Sequence, residues 1–193
     1  MLQRLSDRLG WNRAPSGYRP GVTLAHLRRD LAGLDCEPLG PGLARFVTAD
    51  GVPFEARERT QSELLMHLVL VEFSLYVPSR EEGPARLALR HTGLVRREGL
   101  AIRRMAGQGE TLEALVHALE SDPALKAALM PLDFKRLELE RTGSTWQVRL
   151  EHMGASEVVN RMPAFRRYIR LDGPQRALLL DALQVLARLL AQH

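Results

Sequence analysis

The sequence has little cysteine, lysine or aromatic side chain, and it lacks long hydrophobic runs. Its single cysteine, Cys36, cannot form an internal disulfide and has no Cys or His near it at metal-ligand spacing. No run of roughly 18 apolar residues is present to cross a bilayer, and the first residues lack the continuous apolar region of a secretory signal. These absences predict a soluble protein of a reducing compartment, the cytoplasm.

Signatures of nucleotide binding and of nucleophilic catalysis are also missing. Leu112 stands where a dinucleotide fingerprint after Gly107 and Gly109 needs its third glycine, and no Gly-Lys-Ser/Thr sequence occurs. Val158 stands where a nucleophile elbow at Ser156 needs its second glycine. Because no nucleophile is paired with a base at recognisable spacing, we expect neither a catalytic site nor a cofactor.

Positive charge is present in modest excess. The 193 residues include 25 arginines and 2 lysines, the net charge is +4 and the isoelectric point is near 9.8. Such a balance fits an anionic ligand, an acidic protein surface or nucleic acid. Arginine binds carboxylate and phosphate through two parallel hydrogen bonds, so a cluster of arginines is more informative than their number.

The N-terminal segment, residues 1–43, is predicted to be helical and rich in loops. Leucines at positions 2, 5 and 9 fall on one face of an opening helix. Thr23 is the expected N-cap of a second helix, which the segment Pro38 to Gly42 would end.

The middle of the chain alternates between apolar and polar residues, as strands do. Strands are expected at 44–48, 52–58, 69–77, 85–91 and 100–105, and Asp50-Gly51 predicts a hairpin between the first two. Residues 61–68 fit either a helix, through a capping box at Thr60 to Glu63, or a strand that continues into Val69.

The last third of the chain combines short helices, a hairpin and one long helix. Thr111 and Asp122 are expected N-caps of two short helices. Strands are expected at 135–141 and 145–152, joined by a turn at Thr142 to Ser144, and at 166–171. Residues 173–191 predict a helix whose leucine stripe is too wide for a surface helix.

Strands grouped in hairpins, with helices at the N-terminus, in the middle and at the C-terminus, predict an α+β fold. Its sheet should be mainly antiparallel, with the C-terminal helix buried on the apolar face. A chain of this length is by default one domain, 1–193, composed of the segment 1–43 and an α+β core at 44–193.

Three histidines are the main candidates for metal chemistry. His67, His91 and His152 each lie at or near a strand end, and they could converge on one point as a three-histidine site. A histidine at the edge of a core is more often hydrogen-bonded to a carbonyl group. We therefore assign no metal site.

Two arginine-rich stretches are candidate anion contacts. In the first, residues 90–105, Arg96 and Arg97 fall in a loop between strands. In the second, Arg166, Tyr168 and Arg170 alternate onto one strand face, and this combination of charge and aromatic ring suits phosphate contacts and stacking. The alternative is a solvated sheet face on which the arginines pair across strands with Glu138, Glu140 or Glu151.

Two stretches carry a family resemblance. The run His91 to Leu100, with Glu72 to Pro78 before it, resembles an uncharacterised family of bacterial proteins of unknown function. The resemblance implies no activity and no functional residue.

Two functional hypotheses follow from these observations. The first is a non-catalytic binding or interaction module that presents arginines to an anionic ligand or an acidic partner. The second is a carrier of an apolar or lipid-like small molecule, held in a cavity between the sheet and the C-terminal helix. Salt-sensitive binding of an anion would distinguish the first from the second.

Overall fold

The computed structural model describes residues 18–62, 66–93, 97–161 and 164–193. Within these residues the helices are α1 (Val22–Asp30), α2 (Glu110–Ser121), α3 (Pro123–Leu129) and α4 (Gly173–Gln192). The strands are β1 (Asp35–Gly40), β2 (Leu43–Val47), β3 (Pro53–Ser62), β4 (Met66–Pro78), β5 (Ala85–Thr92), β6 (Gly99–Ala106), β7 (Phe134–Thr142), β8 (Thr145–Arg161) and β9 (Ala164–Ile169). The fold is therefore α+β, as predicted.

All described strands join one antiparallel sheet. Its order is β1-β2-β3-β4-β8-β7-β5-β6, and β9 pairs with β8 beside this path. The longest strand, β8, pairs along β4 on one side; on the other side its first half pairs with β7 and its second half with β9. Between these halves β8 bulges: Val71 and Val69 of β4 face His152 and Glu157, so the four residues 153–156 lie opposite the single residue Leu70.

The four described helices share one hydrophobic cluster with one face of the sheet. Alternate strand residues such as Phe73, Leu87 and Val148 are fully buried there against leucines of every helix. Within α4 the leucines 179, 183, 186 and 190 are fully buried, which confirms the buried C-terminal helix. The buried leucines of all four described helices lie in that cluster, whereas the opposite face carries polar alternate residues of β3, β4, β8, β7 and β5, together with the buried Leu70 of β4. We call this opposite face the helix-free face.

Local sequence signals give two of the helix starts correctly. The Asp122 side chain accepts a hydrogen bond from the Leu125 amide at 2.8 Å at the start of α3, as predicted. Asp172 does the same for Gln175 at 2.8 Å at the start of α4.

The predictions of Thr23 and Thr111 as N-caps were wrong. α1 begins after Gly21, whose φ of 94° suits glycine, and α2 begins after Gly109. At α1 the carboxylate of Glu58, from β3, takes the place of a local cap: it accepts from the Gly21 amide at 2.9 Å and the Leu24 amide at 2.7 Å. At α2 the Thr111 hydroxyl instead donates to Glu81 at 2.9 Å.

The predicted strands and both hairpin turns are present, with three differences. The strand expected at 166–171 runs from Ala164 to Ile169, so Arg170 lies beyond its end and not on its face. Residues 38–42 were expected to end a helix, but β1 occupies residues 35–40 and pairs with β2. The strand expected at 145–152 continues past the bulge to Arg161. Of the ambiguous residues, 61–62 end β3 and 66–68 begin β4, whereas 63–65 and the opening helix lie outside the described residues.

Among the described residues, no helix has the length and apolar character needed to cross a bilayer.

Candidate anion-binding site on the sheet

The predicted anion contacts lie near carboxylates. Arg97 donates to Asp133 at 2.9 Å and to the carbonyl oxygens of Met130 and Leu132, both at 3.1 Å. Arg97 thus holds the loop between α3 and β7. Arg96 lies outside the described residues.

Arg166, Tyr168 and Arg170 also lie beside acidic side chains. Arg166 and Tyr168 share one face of β9, as predicted, and Arg166 Nε lies 3.1 Å from Glu157. The Tyr168 hydroxyl donates to Asp30 at 2.8 Å and Arg170 Nε donates to it at 3.1 Å. Burial and the Asp30 carboxylate together raise the pKa of Tyr168 above its usual value. The proposal that these residues bind an anion stays a prediction, with part of their charge already compensated within the chain.

Two of the three candidate histidines make separate structural contacts. His91 Nε2 lies 2.8 Å from the Leu129 carbonyl oxygen, and its ring packs on Phe134. His152 is 1% exposed; its Nε2 lies 2.9 Å from Gln175 Oε1 and its Nδ1 3.3 Å from the Gly154 carbonyl oxygen. No cluster of potential metal ligands occurs among the described residues. His91 and His152 thus both contact carbonyl oxygens, which is the usual arrangement for a histidine at the edge of a core.

The helix-free face brings together arginines and glutamates that are distant in sequence. Strand register aligns Arg57, Glu72, Glu151 and Arg136 in one row across β3, β4, β8 and β7. The next row along the same strands is Glu55, Ser74, Arg149 and Glu138. Most neighbouring charges in these rows are opposite in sign. The exceptions are Glu72 and Glu151, which are direct neighbours, and the neutral Ser74.

A polar cavity of about 460 Å³ lies on this face, and we call it the sheet cavity. Five arginines contribute to its lining, together with three glutamates and three neutral polar side chains, and no aliphatic residue does. The lining residues are Glu55, Arg57, Arg59, Glu72, Ser74, Tyr76, Arg86, Arg136, Glu140, Gln147 and Arg149.

Three of the lining arginines form ion pairs with Glu138 or Glu140. Glu138 accepts hydrogen bonds from Arg86 at 2.8 Å and Arg136 at 2.9 Å, and it lies 3.7 Å from Arg149, which also bonds to Glu140. Burial by itself would raise the pKa of Glu138, but the two arginine hydrogen bonds and charges outweigh it and lower this pKa to about 2. Glu138 is therefore ionised at neutral pH and holds the three guanidinium groups together.

The other two lining arginines have no acidic partner among the described residues. Arg57 and Arg59 are exposed, and neither has an ion pair or a hydrogen bond to the residues that the structure describes. They lie two positions apart on β3, so their side chains leave the same face about 7 Å apart. Two free guanidinium groups at this spacing can bind one carboxylate or phosphate group, or two neighbouring ones.

The alternation that predicts the strand at 69–77 also places part of this site on one face. Glu72, Ser74 and Tyr76 alternate with the buried Phe73 and Leu75 and form part of the cavity lining. Arg57 and Arg59 alternate in the same way with buried residues of β3. Alternation places each set on one face, but it does not show which strands are neighbours.

The chain belongs to the DUF3156 family, described as protein of unknown function, whose profile matches residues 29–190. This confirms the resemblance to an uncharacterised family. No curated protein and no solved structure matches the chain.

Proposed function

We propose that the protein is a non-catalytic binding module that takes a small, strongly polar anionic ligand into the sheet cavity. The observation that carries the proposal is a 460 Å³ cavity with five arginines in its lining, on the helix-free face of the sheet. A volume of this size falls within the usual range for small-molecule sites, roughly 300–1,000 Å³.

Arg57 and Arg59 are the proposed anion contacts. Glu138 and Glu140 already neutralise much of the charge of Arg86, Arg136 and Arg149, whereas Arg57 and Arg59 have no such partner among the described residues. The guanidinium group offers a planar pair of donors to a carboxylate or phosphate group. A bound anion would supply the missing partner, so its binding should depend on these two side chains.

The polar lining favours a water-soluble ligand over a lipid. The neutral lining side chains are Ser74, Tyr76 and Gln147, which offer hydrogen bonds, and the charged ones would lose hydration against an alkyl chain. A second cavity of about 320 Å³ lies between β6 and α2. Neither of these two cavities lies between the sheet and α4, where the carrier hypothesis places its ligand.

Calorimetric titration of glutarate, a small dicarboxylate, at low ionic strength tests the proposal. We expect saturable binding that weakens about tenfold or more when Arg57 and Arg59 are both replaced by alanine, because two charge-assisted contacts are lost. Arg28→Ala with Arg80→Ala is the matched control: both arginines are exposed, lie outside the cavity lining and change the net charge equally.

The control variant should bind glutarate within about twofold of the wild type. Equal weakening in both double variants would show a general charge effect and no site on the helix-free face. Absence of saturable binding to the wild type, for glutarate and also for L-glutamate, would refute the proposed function.

A further inference from the structure

Glu72 contributes to the lining of the sheet cavity and forms no ion pair within 4 Å with a described residue. The residue is 5% exposed, and its Oε2 atom is buried without a hydrogen-bond partner. Buried carboxylate oxygens are nearly always hydrogen-bonded, because removing an anion from water without replacing its hydrogen bonds is costly. No described residue donates a hydrogen bond to Oε2 of Glu72.

The neighbours of Glu72 across the sheet make this lack more pronounced. On the β8 side its register partner is Glu151, and like charges directly opposite each other are unfavourable. Arg136 of β7 attracts Glu72 electrostatically, but its guanidinium group lies 3.6 Å from Glu151 and hydrogen-bonds Glu138. On the β3 side the register partner is Arg57, yet no ion pair joins Arg57 to Glu72.

We propose that the ligand of the sheet cavity is an amino-acid-like zwitterion, whose ammonium group binds Glu72 while its carboxylate binds Arg57 and Arg59. This inference rests on the proposed function and names the ligand class for the same site. An ammonium group supplies a charge-assisted hydrogen bond to the Glu72 carboxylate and offsets its negative charge beside Glu151. A plain dianion supplies neither.

The spacing of the two groups fits a compact ligand. Arg57 and Glu72 are register partners on adjacent strands, so their β-carbons lie about 5 Å apart. An amino acid carries its ammonium and carboxylate groups on one carbon atom and can contact both side chains at once. Ser74 and Tyr76 continue along the same face of β4 and offer hydroxyl groups to the rest of the ligand.

The test compares L-glutamate with glutarate, which differ only in the α-ammonium group. We expect wild-type protein to bind L-glutamate about tenfold more tightly than glutarate in calorimetric titrations, since a charge-assisted hydrogen bond is gained. In Glu72→Gln, which keeps the side-chain volume and removes the charge, this ratio should fall to about one. Glu37→Gln, the same change at an exposed position of β1, should keep the wild-type ratio.

Each outcome separates this inference from the proposed function. If the wild type binds both compounds equally and Arg57→Ala with Arg59→Ala weakens both, the ammonium contact is refuted and the anion site stands. If the ratio survives in Glu72→Gln, Glu72 is not the contact. If neither compound binds, both proposals fail. The wild-type comparison needs no variant, so the inference can be refuted even if Glu72→Gln does not fold.

Discussion

Replacing Glu138 by glutamine removes the carboxylate that three arginines of the helix-free face share. Two of them hydrogen-bond it, at 2.8 and 2.9 Å. A buried charge-assisted hydrogen bond contributes about 1.5–3 kcal/mol and an exposed ion pair about 0–1 kcal/mol. Between 24% and 39% of the surface of each of the three arginine side chains is exposed, and solvent weakens their interactions. We therefore assign about 1 kcal/mol of stabilisation to each hydrogen bond. Glu138→Gln should therefore lower the free energy of unfolding at pH 7 by about 2 kcal/mol.

This loss should depend on pH in a defined direction. The pKa of Glu138 is lowered in the folded protein from 4.5 to about 2, so its ionised form stabilises the fold fully above pH 4.5. The contribution is lost as the pH falls from 4.5 towards 2. The difference between wild type and Glu138→Gln should be constant from pH 7 to pH 5 and should shrink to roughly half at pH 3.

Urea unfolding at pH 7, 5 and 3 measures this difference, and the melting temperature at pH 7 should fall by about 4–8 °C. Glu37→Gln is the control, since Glu37 is exposed and makes one contact of 3.5 Å to Arg45; its effect should be about 0.5 kcal/mol or less. Equal effects of the two variants, or a difference that grows on acidification, would refute the assigned role of Glu138.

Two further predictions concern residues that position the sheet and its helices. Glu58→Ala should lower the free energy of unfolding by about 2 kcal/mol in urea titrations, because the N-terminus of α1 loses the acceptor for two backbone amides; an effect below about 0.5 kcal/mol would contradict this. Gly154→Ala should cost about 1–3 kcal/mol in the same assay, because the added carbon would lie 2.9 Å from the buried His152 ring. Gly173→Ala, where nothing lies within 4 Å of the added carbon, should be nearly neutral, and equal effects at the two glycines would refute the packing argument.

Elements that bury one face regularly could be predicted from the sequence. In β4 the alternation of Phe73 and Leu75 with Ser74 and Tyr76 predicts a half-buried strand, and the leucine stripe of α4 predicts a buried helix. β1 was missed because it is an edge strand that contains Pro38 and is almost wholly exposed, so its sequence has no apolar period to detect. The cap of α1 was missed because Glu58 lies 37 residues from Gly21.

The candidate site depends on strand order, which local patterns do not contain. The sequence offers Glu138, Glu140 and Glu151 as cross-strand partners for the arginines of β9. In the structure they pair with Arg86, Arg136 and Arg149, because β7 lies between β8 and β5. That Arg57 and Glu72 form no ion pair with a described residue can be seen only when β3, β4 and β8 are placed side by side.

The most direct test of the anion site is a nitrogen-15 NMR titration of the wild-type protein with L-glutamate. We expect the largest saturable amide shifts in β3 around residues 57–59 and in β4 around residues 72–76, which contribute to the lining of the sheet cavity. Largest shifts at residues 166–170 would instead place the anion contacts at the arginines of β9 and beyond. That result, or shifts centred on the cavity between β6 and α2, would contradict binding on the helix-free face.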